Sequence, residues 1–76
     1  MTNETLILET AYVHYETSGK FFEAYQNEND PEFKSTLWAL CEEASGKADG
    51  LLEAYEILTG KKVYQHQIKE TLLTLA

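Results

Sequence analysis

The chain has 76 residues, thirteen Asp and Glu against six Lys and no Arg, a formal net charge of −7 and 43% hydrophobic residues. That length holds one domain at most, and the apolar content is too high for a disordered acidic tail. The single Cys41 excludes an internal disulfide and, with two His, a Cys/His zinc knuckle.

The longest aliphatic run is Leu6-Ile7-Leu8, so no membrane span is expected. The start Met1-Thr2-Asn3-Glu4 lacks the positive n-region of a signal peptide, which makes the cytoplasm the expected compartment. Residues 1–30 carry six acids and one Lys, residues 31–60 six acids and two Lys, and residues 61–76 one acid and three Lys. Such a body repels phosphates, so direct nucleic-acid binding is not expected, and the basic last segment is expected to pack onto it.

The periodicity predicts a single all-α domain over residues 1–76, with helices at about 3–27, 31–59 and 64–75 and no strand. In the first, Leu8, Ala11, Tyr15, Ser18, Phe22 and Tyr25 recur at alternating spacings of three and four, flanked by Ile7, His14 and Phe21. Asp30, Pro31 and Glu32 supply an N-cap, a first helical residue and a favourable charge at the helix start. The second helix then runs through Phe33, Leu37, Leu40, Ala44, Ala48, Leu51, Tyr55 and Leu58, and Gly60 stops it. Leu37→Ala and Leu51→Ala are each expected to cost about 2–5 kcal/mol. The third helix offers Ile68, Leu72 and Leu75, with Tyr64 and Leu73 at the edges.

The short Asn27–Asp30 loop makes the first two helices an antiparallel hairpin that places residue n opposite about 59 − n. Gly19, Gly46 and Gly50 fall inside these helices, but the apolar phase passes through them without a slip, which favours continuous helices over five short ones. Gly19 is expected to make room for the Trp38 indole, and Gly46 and Gly50, at a spacing that lets another backbone approach, are expected to mark helix distortion or crowding by the third helix. Tyr12, Leu8, Trp38, Ser45 and Leu52 flank one side of the seam; Ile7, Phe21, Leu40, Ala54 and Leu58 flank the other. One short helix covers only one side, so a homodimer using Leu40, Ala54 and Leu58 is expected.

Candidate chemistry is sparse. Glu42, Asp49, Glu53 and Glu56 share a helix face, and a carboxylate stripe of this kind suits Mg²⁺. It is similar to the carboxylate-rich helices of all-α nucleotide pyrophosphohydrolases over about fifteen residues, which implies a Mg²⁺-dependent nucleotide hydrolase fragment. The second carboxylate pair of that family is missing. Neither His14 nor His66 has the Glu three residues earlier that a di-iron bundle needs, and Cys41 has no activating neighbour at helical spacing. Catalytic residues, cofactors and a metal site are therefore not expected.

Tyr12, Trp38 and Tyr64 at the stripe edges, together with the Glu42, Asp49, Glu53 and Glu56 face, are the expected contacts for another protein, one of basic character. The sequence reads as a small acidic protein-binding or regulatory module. The alternative is an acidic nucleic-acid mimic of the anti-restriction or anti-CRISPR type, as phages and mobile elements carry.

Overall fold

In the computed structural model, which describes residues 3–75, α1 spans Asn3–Asn27 and α2 spans Pro31–Thr59. Both are continuous through Gly19, Gly46 and Gly50, and there is no strand among the described residues. Local chemistry fixes the corner between them. The Glu28 carboxylate accepts the Asn29 and Asp30 amides at 3.1 Å each, and Asp30 Oδ1 accepts Glu32 N–H at 2.9 Å, capping α2 just before Pro31. Gly60, at φ 75°, closes α2 in the left-handed region and donates its N–H to Glu56 O at 2.7 Å.

The two long helices make the most extensive contact in the molecule. Ser18 Oγ donates to the Cys41 carbonyl at 3.1 Å and lies 3.4 Å from its Sγ, the pairing expected from a four-residue corner. The chain is elongated, 43 × 20 × 17 Å, and its 14.0 Å radius of gyration exceeds the roughly 11.4 Å of a compact chain this long.

The last segment differs from its expected form. Residues 61–64 are not helical, Gln65–Gln67 form a 3-10 turn, and α3 begins only at Ile68 and ends at Leu75. Tyr64 takes extended backbone, its N–H held by Gln67 Oε1 at 3.1 Å. The connection doubles back along α2, where Gln65 Nε2 meets Ser45 O and Oγ at 3.1 Å and Asp49 Oδ1 at 2.7 Å. The following α3 packs on α1. This puts the third segment on the Tyr12 and Leu52 side of the seam, where its bond nearest the loop end is that of Gln65 to Ser45, about two turns of α2 short of Trp38.

The core is therefore confined to the open end of the hairpin. Leu8, Ala11, Leu52, Tyr55, Val63 and Ile68 form one buried cluster, with Ile7, Tyr12, Leu51 and Leu72 packed around it. At the loop end the apolar stripe continues without being buried: Phe33 is 60% exposed and Phe22, Tyr25 and Leu37 are half-buried. Leu58, also expected in the stripe, is 61% exposed. The reason is coverage, since two helices shield only the seam between them and a third layer exists at one end.

The glycines correct two expectations. A Cβ built at Gly19, Gly46 or Gly50 meets nothing within 4 Å. The indole of Trp38 turns away from Gly19 onto Tyr25 and Phe22, and α3 crowds neither Gly46 nor Gly50.

Candidate functional site

The expected contact residues do not form one site. Tyr12 lies beside the core cluster. The Glu16 carboxylate one turn on accepts a hydrogen bond from the Tyr12 hydroxyl and, with some desolvation, holds the phenol above its ordinary pKa of 10.0. Trp38 stands at the loop end, 44% exposed, with its ring centroid 5.2 Å from Tyr25 and 6.3 Å from Phe22. The Lys34 ammonium covers the Tyr25 ring at 4.7 Å. Tyr64 sits at the opposite end, stacked on His66 at 6.1 Å with Lys62 at 5.4 Å from its ring. His66 lies in the 3-10 turn, one element before Glu70, and so does not share its helix.

The acidic face is split by the fold. Asp49 is bound by Gln65 and helps anchor the returning segment, whereas Glu42 and Glu53 remain exposed and Glu56 half-buried. The basic end reaches α2 through this amide rather than through charge: among the described residues Lys61, Lys62 and Lys69 form no ion pair, and the one present joins Lys47 to Glu43 within α2 at 3.5 Å. No three His, Cys, Asp or Glu side chains among the described residues converge as a metal site would require. A shallow hollow lined by Asp49, Glu53, Glu56, Lys62 and Tyr64 mixes both signs of charge. A nucleic-acid mimic needs its carboxylates free, and one of these four has an intramolecular task.

Asp49→Ala is accordingly expected to lower stability by about 1 kcal/mol, because it removes the shortest bond to Gln65. Glu42→Gln and Glu53→Gln are each expected to stay within about 0.5 kcal/mol of the parent. Urea denaturation followed by circular dichroism separates the two outcomes.

Set against protein-family models, curated proteins and solved structures, the chain shows no significant match.

Two apolar surfaces stand out. On the flank away from α3, Val13, His14, Thr17, Phe21 and Leu40 line an open furrow between the long helices. Ala54 and Leu58 continue it on the same face of α2, and Ile57 beside them is 80% exposed. On the α3 side, one turn past Tyr12, a groove of about 560 Å³ is floored by Tyr15, Ser18, Gly19, Phe22 and Cys41. Sequence reasoning placed Tyr15, Ser18, Phe22 and Cys41 on the buried stripe. They border this groove because the returning segment reaches along α2 only to Ser45, a limit set by the Gln65 bonds. No helix among the described residues is long and apolar enough to cross a membrane.

Proposed function

We propose that the chain is a small protein-binding or regulatory module without catalytic activity of its own, working as a homodimer of helical hairpins. The carrying observation is surface. The chain exposes 5390 Å², whereas a compact monomer of 8.7 kDa exposes about 4,700 Å². The excess, roughly 650 Å², is close to the ~800 Å² that each partner contributes to a standard interface. The flank carrying Leu40, Ala54 and Leu58 is uncovered along α2, with the Glu43–Lys47 ion pair between its apolar positions, and a two-fold copy buries it against itself. A third helix cannot do so, because α3 is already committed to the other side.

Sedimentation tests this. The expected species at ~100 μM has twice the 8.7 kDa chain mass and dissociates on dilution. Leu58→Glu is expected to yield a folded monomer, since Leu58 is 61% exposed in the single chain and its loss empties no core. Lys69→Glu is expected to leave the dimer intact. A lone 8.7 kDa species at that concentration overturns the proposal.

A further inference from the structure

The groove on the α3 side points to a second partner. We propose that it seats an amphipathic helix from a basic protein, on the same side of the hairpin that α3 occupies and one turn further along α1. The inference rests on reading the chain as a protein-binding module, and it concerns the flank opposite the dimer face.

Three observations carry it. First, the chain itself shows what this side accepts. The segment that packs there presents Ile68 and Leu72 at helical spacing to the cluster, so this side accepts an apolar helical stripe. The segment's cover ends at the level of Ser45, whereas the apolar floor continues through Tyr15 and Phe22, and Phe22 packs against the 44% exposed Trp38 at 6.3 Å between ring centroids. Second, charge lines the walls. Glu16 and Glu23 border the groove on α1, with Lys20 the one cation among its lining residues. On α2, the exposed Glu42 follows Trp38 by one helical turn. A helix with an apolar stripe and Lys or Arg on both shoulders matches this pattern, through the recognition of an amphipathic helix in a groove and with charge setting its orientation.

Third, Gly19 lies on the floor with nothing within 4 Å of a built Cβ. The helix bears the conformational cost of this glycine although no neighbour within the chain requires it. The open floor lets another backbone approach closely.

The test uses the full chain and a synthetic peptide of roughly 18 residues, about 27 Å as a helix. The peptide has Leu at i, i+3, i+4 and i+7 repeats, Lys at the shoulders and no aromatic residue. A matched peptide carries Glu in place of Lys. Trp38 is the sole tryptophan and reports occupancy.

The Lys peptide is expected to shift Trp38 emission to the blue and to gain helicity. Its affinity is expected to fall about tenfold or more as salt shortens the screening length from 30 to 3 Å. Gly19→Gln is expected to weaken binding at least tenfold with no loss of melting temperature, and Glu16→Lys with Glu23→Lys to transfer preference to the Glu peptide. Unchanged Trp38 emission, equal binding of both peptides or full binding by Gly19→Gln overturns the proposal. Dissociation of the dimer by the peptide also overturns it, because the groove would then be the self-association surface. Sedimentation without peptide reads the dimer separately, so failure of one proposal is distinguishable from failure of the other.

Discussion

Leu8→Ala is expected to leave little folded protein at 25 °C. Leu8 is fully buried in the one cluster with Ala11, Leu52, Tyr55, Val63 and Ile68, to which the third segment contributes Ile68. Truncating such a leucine costs about 2–5 kcal/mol, through lost transfer energy and the cavity left behind. A single core in a chain this short supplies only ~3–5 kcal/mol, so the substitution consumes most of the margin. Ile68→Ala, equally buried but on the third segment, is expected to match it. Leu51→Ala, packed at the edge of the cluster, is expected to cost less, and Leu37→Ala, half-buried outside it, least. Urea melts at one fixed chain concentration order the four. Equal costs at Leu8 and Leu37 would mean that a second core exists at the loop end.

The opposite sign is expected at the helical glycines. Gly19, Gly46 and Gly50 lie in regular helix, none has positive φ, and an added methyl group at each enters open space. Each Gly→Ala substitution therefore recovers about 0.5–1 kcal/mol of backbone entropy and helix propensity. The triple variant is expected to gain about 2 kcal/mol and to melt several degrees higher, since ~1 kcal/mol shifts a domain of this size by roughly 4–8 °C. Gly60→Ala is expected to reverse the trend, because φ 75° strains any residue with a Cβ. A fall in stability at Gly46 or Gly50 would reveal a close neighbour on that face of α2.

The long helices were legible because their signals are local. Asp30 and Pro31 mark a start, Gly60 marks a stop, and one apolar phase runs between them. The register was legible too, as Ser18 and Cys41 meet where the loop length puts them. What the pattern could not convey was coverage. Phe22, Phe33 and Leu37 repeat at the same spacing as Leu8, Ala11 and Tyr55, yet only the latter are buried, and the difference lies in where the returning segment's reach along α2 ends. That end depends on Gln65 bridging to Ser45 and Asp49 across about twenty residues of chain, a long-range bond with no periodic trace. The same bond gives Asp49 an anchoring role that helical spacing does not show. The unoccupied space at Gly19 was invisible for a related reason: a glycine in a sequence suggests a close neighbour, and only the fold shows that none is there.

Concentrating the buried cluster at one end makes the hairpin mechanically unequal along its length. Opening free energies follow local burial, so the turns around Leu8 and Tyr55 open only with the whole molecule, whereas those near Phe22 and Trp38 open at far lower cost. The stiff end works as a clamp that keeps the two helices in register. The loop end is held instead by the three-residue corner, where Glu28 and Asp30 accept the backbone amides of the turn, so what yields there is side-chain packing around Phe22 and Trp38 rather than helix separation.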